Sequence, residues 1–86
     1  MNMNLDDIIA TARERYGYGG RFQHVKSLIF QFRGATNNVA AFRNAIEHGD
    51  FDLFDREYAE ERITVNQAKA DALGKKIDEY ANAYIF

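Results

Sequence analysis

Residues 63–84 read ITVNQAKADALGKKIDEYANAY, and this stretch has the clearest periodicity in the chain. Its seam residues alternate spacings of three and four, which is the a/d heptad pattern of packed helices. They are Ile63, Asn66, Ala70, Leu73, Ile77, Tyr80 and Tyr84. The pattern predicts a long C-terminal helix in which Asn66 sets the register. Such a seam can serve a bundle within the chain or a dimer; in so short a chain we expect the bundle first, with dimerisation as an addition.

The beginning of the chain also carries helix signals. Asn4 is predicted to cap a first helix over residues 5–16, because its side chain can accept a hydrogen bond from a free backbone N–H of the first turn. Gly17 is predicted to end that helix, since glycine readily adopts the left-handed conformation found after helix C-termini. Residues 16–20 read YGYGG and therefore predict a loop.

The middle of the chain is predicted to be divided by glycines. Gly34 is expected to end or weaken a second helix, and Gly49 to close a third. Asp50 is expected to cap the segment that follows. Residues 50–85 then form either one long kinked helix or two helices with a break near 63–64.

Composition supports an all-α fold. The chain has 86 residues, 47% of them hydrophobic, with no Pro and no Cys. This length fits a single domain over residues 1–86, and the absence of Pro favours long helices with few connections. We predict a compact bundle of four helices or three long ones. The predicted core is Leu5, Ile8, Ile9, Phe22, Val25, Ile29, Phe32, Val39, Phe42, Ile46, Phe51, Phe54, Tyr58, Leu73, Ile77 and Tyr80.

Charge is strongly segregated along the chain. Residues 13–43 hold six basic residues and one acid, and residues 47–61 hold seven acids and one base. These stretches carry +5 and −6 in a chain whose formal net charge is −2. A local field of one sign attracts partners of the other sign and speeds their capture. The sequence therefore predicts a binding protein, but it does not identify the partner.

The acidic stretch has two interpretations. Leu53 faces away from the apolar side of its segment and lies among carboxylates, so it could dock on a basic, partly apolar partner surface. Carboxylates spaced along a helix could also imitate a phosphate backbone. The alternative is an ordinary solvated helix face. The candidate contacts to a protein partner are Asp50, Asp52, Leu53, Glu57, Glu60 and Glu61.

The basic stretch also has two interpretations. Aromatic rings and arginines are interleaved there, and such groups can stack on bases and contact phosphates. The alternative is a helix–loop–helix turn with a solvated basic rim. Phe30, on the polar side of its helix, is either an interface anchor or part of a helix buried on two sides. The candidate contacts to nucleic acid or a nucleotide are Arg15, Tyr18, Arg21, Lys26, Phe30 and Arg33.

Catalytic, metal and membrane functions are not expected. His24 and His48 lack an HxxxH-type partner, there is no Cys, and the acidic cluster lacks the order of a calcium loop. We therefore predict no enzyme, no cofactor and no metal. The N-terminus lacks a signal-peptide pattern, and no window approaches about 18 consecutive apolar residues. A cytoplasmic protein is the expectation.

In general character the chain resembles the small inhibitors that phages carry against bacterial enzymes, anti-CRISPR proteins among them. The features that carry the resemblance are the short length, the lack of Cys and of catalytic motifs, the acidic patch and the helical body. They match by type and not by motif, so no functional residue is carried over. The resemblance implies occlusion of a surface on a nucleic-acid-handling partner in the cytoplasm of a bacterial host.

Three functions follow as hypotheses. The leading one is an inhibitory protein-binding module that uses the acidic face, and the second is a nucleic-acid or nucleotide binder that uses residues 13–33. The third is a structural homo-oligomer. Because Ile85 and Phe86 lie off the heptad seam, we expect the bundle to leave the C-terminal tip uncovered. This predicts a homodimer in which the tip contacts a neighbouring subunit at Phe30.

Overall fold

The computed structural model describes residues 4–49 and 55–86, which form three α-helices and a terminal π-helical turn. Helix α1 spans Leu5–Tyr16, α2 spans Gly20–His48 and α3 spans Arg56–Tyr80, and the π-helical turn Ala81–Ile85 continues α3. These described residues contain no strand, so the all-α prediction is confirmed. The predicted long C-terminal helix is present as α3.

The three helices form an elongated body. Helices α2 and α3 run antiparallel, since His24 contacts Tyr80 near one end and Asn38 contacts Asn66 further along. The described residues measure 47 × 18 × 18 Å and have a radius of gyration of 15.7 Å. A globular domain of this length would have a radius of about 12 Å. The body is thus longer and thinner than the predicted compact bundle.

Helix α1 covers only one end of the α2–α3 hairpin. Its 12 residues extend over about 18 Å, whereas the 29 residues of α2 extend over about 43 Å. The buried cluster lies at the covered end and combines α1, α2, α3 and the π-helical turn. It consists of Ile8, Ala12, Phe22, Val25, Ile29, Ile77, Ala81 and Ile85. Toward the other end, α2 and α3 bury mainly small residues against each other, such as Ala35, Ala59 and Ala70.

Most of the predicted core is buried or partly buried. Tyr58 is the exception, because it leaves 48% of its surface exposed while its ring contacts Phe42 at 6.0 Å. The predicted core residues Phe51 and Phe54 lie outside the described residues. Asn66 is buried in the seam as predicted, where its amide accepts a hydrogen bond from Asn38 and donates one to the Arg62 carbonyl.

The first helix and its caps follow the sequence prediction. The Asn4 side chain accepts hydrogen bonds from the backbone N–H groups of Asp6, at 2.9 Å, and Asp7, at 3.2 Å. Gly17 follows the last helical residue with a φ of 61°. Both ends of α1 are therefore determined by residues adjacent to them.

Helices α2 and α3 are both continuous. Helix α2 runs through Gly34, so this glycine does not end it, and α3 runs through residues 63–64, which agrees with the single-helix alternative and not with a break there. Asp55 caps α3, because its carboxylate accepts the Tyr58 N–H at 2.8 Å. The Thr64 hydroxyl donates to the Glu60 carbonyl of the preceding turn. The predicted cap at Asp50 lies outside the described residues.

Replacing Gly34 with alanine is expected to stabilise the protein by about 0.5–1 kcal/mol, because glycine in a helix interior costs about that much relative to alanine. Gly34 is exposed, and apart from the backbone of its own helix and its chain neighbours no atom of the described residues lies within 4 Å of the position that a Cβ would take. Thermal unfolding followed by circular dichroism would measure the change. Gly17→Ala is the matched control and should destabilise the protein, since its positive φ disfavours any side chain. An unchanged or lower melting temperature for Gly34→Ala would contradict the expectation.

The C-terminal tip also differs from the prediction. Ile85 was expected to lie off the seam, but it is fully buried. The reason is the π-helical turn, in which the Phe86 N–H reaches back to the Ala81 carbonyl at 2.8 Å. This wider turn keeps residues spaced by four, Ile77, Ala81 and Ile85, on the core side. Phe86 itself remains 59% exposed.

Candidate functional sites

The acidic end of the molecule is the start of α3. Glu57, Glu60 and Glu61 are exposed and share one helix face, since residues three and four apart are neighbours on a helix. Glu60 pairs with Arg56 at 2.9 Å, whereas Glu57 and Glu61 have no ion-pair partner among residues 4–49 and 55–86. Three of the predicted contacts, Asp50, Asp52 and Leu53, lie outside the described residues.

The predicted basic-aromatic set does not form one surface. Arg21 and Lys26 lie about 140° apart round α2, so they face different sides of the helix. Tyr18, Lys26 and Phe30 are on one side, and Arg15 and Arg21 point toward the C-terminal tip. Arg33 pairs with Asp6 of α1 at 2.8 Å, which partly neutralises it.

A row of aromatic rings and a lysine runs from the loop before α2 along one side of that helix, and we call it the Phe30 face (Tyr18, Phe22, Lys26 and Phe30); Phe22 in this row is buried. The Lys26 ammonium lies 5.7 Å from the centroid of the Phe22 ring and 5.5 Å from that of Phe30. Tyr18 contacts Phe22 edge-on at 5.6 Å. Tyr18 is 71% exposed and Phe30 is 58% exposed. Phe30 is therefore an exposed aromatic beside a cation, as the interface interpretation predicts.

On the other side, arginines hold the C-terminal tip. Arg15 donates a hydrogen bond to the Ile85 carbonyl at 2.8 Å, and the Tyr16 hydroxyl donates to the Tyr84 carbonyl. These groups satisfy carbonyls that have no partner at a helix C-terminus. The Arg21 guanidinium lies 4.5 Å from the Tyr84 ring centroid and 5.2 Å from that of Tyr16. Arg15 therefore has a structural role that the sequence did not reveal.

A groove next to this contact was not predicted. It lies between α2 and the end of α3, has a volume of about 380 Å³ and is lined by His24, Leu28, Lys76, Glu79, Tyr80 and Tyr84. We call it the tyrosine groove. The rings of His24 and Tyr80 are 4.6 Å apart, and those of Tyr80 and Tyr84 are 4.8 Å apart. The sequence predicts Tyr80 as a seam and core residue and Tyr84 as a seam residue, and it indicates no groove at either.

The first arginines of the basic stretch and the acidic end lie at opposite ends of the molecule. Arg15 and Arg21 flank the loop between α1 and α2, while Glu57 and Glu61 lie near the connection between α2 and α3. The length of α2, about 43 Å, separates these ends. This exceeds the screening length of about 8 Å at physiological ionic strength, so Arg15 and Arg21 do not neutralise Glu57 and Glu61.

Within the described residues, no cluster of three or more His, Cys, Asp or Glu side chains could hold a metal ion. None of the described helices is long and apolar enough to cross a membrane. The chain matches no protein-family model, no curated protein and no solved structure. The acidic end, the Phe30 face and the tyrosine groove are therefore the candidate functional sites of the described residues.

Proposed function

We propose that the protein is a small non-enzymatic binding module that occludes a basic surface of a nucleic-acid-handling protein with its acidic end. The observation that carries the proposal is the separation of charge along the molecule. The carboxylates of Glu57 and Glu61 face solvent, lack an ion-pair partner among the described residues and lie at the opposite end of the molecule from Arg15 and Arg21. Their field is thus available to a partner.

The chemistry of the acidic end suits a surface that normally binds phosphates. A helix that presents several carboxylates on one face offers negative charges at regular spacing, and lysines and arginines arranged for a nucleic-acid backbone attract them. A complex of this kind would block nucleic acid from the same surface. The general resemblance to phage inhibitors such as anti-CRISPR proteins supports this interpretation and favours the cytoplasm of a bacterial host.

Reversing two acidic charges tests this proposal. A protein with Glu57→Lys and Glu61→Lys should fold normally, because exposed charges contribute little to stability. Its association rate with the partner purified from a bacterial lysate should fall by about tenfold at low salt, and the difference should shrink as salt screens the field. Surface plasmon resonance at several salt concentrations measures both effects.

The matched control is a variant with the same change in net charge at positions outside the acidic end. Glu14 and Asp71 are exposed residues outside the acidic end, so the variant with both replaced by lysine should associate much faster than the first one. Equal association rates for the two variants would show that the acidic end is not the binding surface. A partner without a basic surface would exclude the proposed mechanism.

The Phe30 face favours a second candidate function, which is binding to single-stranded nucleic acid. The observation that supports this function is the exposure of Tyr18 and Phe30 beside Lys26. Bases stack on exposed rings, and phosphates pair with cations. Arg33 should contribute less to phosphate binding, since it is paired with Asp6.

For this second function, binding of labelled single-stranded and duplex oligonucleotides should weaken steeply with rising salt, because released counterions drive such binding. Phe30→Ala should lower the affinity for single strands by roughly tenfold, since stacking contributes about 1–3 kcal/mol per base. Val65→Ala, another exposed apolar position, is the control and should have no effect. A flat titration at low salt would exclude this function.

A further inference from the structure

We propose that the tyrosine groove binds a nucleotide unit, with the base against its rings and the phosphate beside Lys76. The unit could be a free mononucleotide or one nucleotide of a single strand, and the experiment below separates these sources. The groove lies at the opposite end of the molecule from Glu57 and Glu61. It is also distinct from the Phe30 face, so the proposal does not depend on either function proposed above.

The walls of the groove suit a planar ring. His24 comes from α2, Tyr80 from the end of α3 and Tyr84 from the π-helical turn, and their rings contact one another in sequence. Leu28 adds an aliphatic wall. The volume of about 380 Å³ lies within the range of about 300–1,000 Å³ that is typical of small-ligand sites. Every base has a π-face that can stack on such rings.

The charged groups at the groove favour a ligand in which a planar ring is joined to an anionic group. Lys76 lines the groove. A phosphate can accept hydrogen bonds from its ammonium group. Glu79 lines the same groove and can accept hydrogen bonds from the amino groups of a base. A sugar phosphate would leave the rings unused, and an apolar ligand would not engage Lys76 or Glu79.

The groove is held in place by contacts on its outer side. The Tyr84 carbonyl accepts the Tyr16 hydroxyl, and Arg21 connects the two rings through cation–π contacts. The π-helical turn sets the position of Tyr84 relative to Tyr80. A site built this way is largely formed before the ligand arrives, which lowers the entropic cost of binding.

Nuclear magnetic resonance titrations with four probes test the proposal: adenosine monophosphate, adenosine, ribose 5-phosphate and a single-stranded oligonucleotide. Adenosine monophosphate should shift the resonances of His24, Lys76 and Tyr84. Adenosine should bind about tenfold more weakly, and ribose 5-phosphate should cause no shift at the same concentration. Tighter binding of the oligonucleotide, with shifts at the same residues, would identify single-stranded nucleic acid as the source of the nucleotide.

Variants test which residues bind the phosphate and which bind the base. Lys76→Ala should reduce the affinity for adenosine monophosphate about tenfold and leave adenosine unchanged, whereas Tyr84→Leu should weaken both. Lys69→Ala, at an exposed position earlier in α3, is the matched control and should change neither. Circular dichroism would confirm that each variant is folded.

Three results would overturn the proposal. The first is the absence of shifts at the groove with adenosine monophosphate and with the oligonucleotide at millimolar concentration. The second is equal affinity for adenosine and adenosine monophosphate, and the third is equal affinity for ribose 5-phosphate and adenosine monophosphate. The variant with Glu57→Lys and Glu61→Lys should bind adenosine monophosphate like the original protein. A failure of the acidic-end proposal is thereby distinguishable from a failure at the groove.

Discussion

Replacing Ile77 with alanine is expected to lower the free energy of unfolding by about 3–4 kcal/mol, which lies in the usual range for a large aliphatic residue in a core. Ile77 is fully buried and packs in the cluster shared by α1, α2, α3 and the π-helical turn. The same replacement at Ile63 should cost about 1 kcal/mol, because a partly exposed side chain loses less contact and leaves a smaller cavity. The two positions belong to one heptad seam, so the difference between them reports where the core lies.

Chemical denaturation of the two variants would measure both losses of unfolding free energy. Hydrogen exchange of the original protein would measure the local stability around the two positions. Amides of α2 and α3 near Ile29 and Ile77 should exchange through global unfolding, while those near Ile46 and Ile63 should exchange faster. Equal losses for Ile77→Ala and Ile63→Ala would mean that the uncovered part of the hairpin is packed as tightly as the covered part. That outcome would contradict the idea that α1 completes the core at one end only.

The sequence predicts those parts of the fold that depend on neighbouring residues. Asn4 and Gly17 determine α1 through local hydrogen bonds and a local backbone conformation, and both predictions are confirmed. Gly34 misleads because its cost of about 1 kcal/mol in a helix is small beside the packing of Ile29 and Val39 on either side of it. Local propensity is a weak guide wherever a helix is held by tertiary contacts.

Ile85 shows a second limit. A period of 3.6 residues places it off the seam, and a π-helical turn changes that period without a signature in the residues themselves. The burial of the tip becomes visible only when Arg15 and Tyr16 of α1 meet the last carbonyls of the chain. A distant segment thus decides the conformation of the terminus.

The candidate sites were predictable to different degrees. Charge segregation is a property of the sequence, so the acidic end could be predicted as a region. For Phe30 the sequence left two interpretations, and its exposure agrees with an interface anchor and not with a helix buried on two sides. The tyrosine groove could not be predicted. His24 and Tyr80 meet because α2 and α3 are antiparallel in a particular register, and no spacing in the sequence encodes that register.

Deleting residues 84–86 is expected to destabilise the protein by about 3 kcal/mol, since the deletion removes a fully buried isoleucine, Ile85, from the core. It also removes the carbonyls that accept hydrogen bonds from Arg15 and Tyr16. For a chain of this size, the melting temperature should fall by roughly 15 °C. Differential scanning calorimetry would measure the change, and a loss below about 1 kcal/mol, within the range of ordinary surface substitutions, would contradict the burial of the tip.

Phe86→Ala separates stability from assembly. Because Phe86 is largely exposed, its replacement should change the melting temperature by only a few degrees. If the C-terminal tip contacts Phe30 of a neighbouring subunit, as the predicted homodimer requires, both Phe86→Ala and Phe30→Ala should shift sedimentation toward the monomer. The protein without residues 84–86 should then be less stable and also fail to dimerise, whereas the Phe86→Ala variant should fail to dimerise but keep its stability. A full-length protein that sediments as a monomer at high micromolar concentration would exclude the homodimer, and the exposed Phe86 would then have no role in self-association.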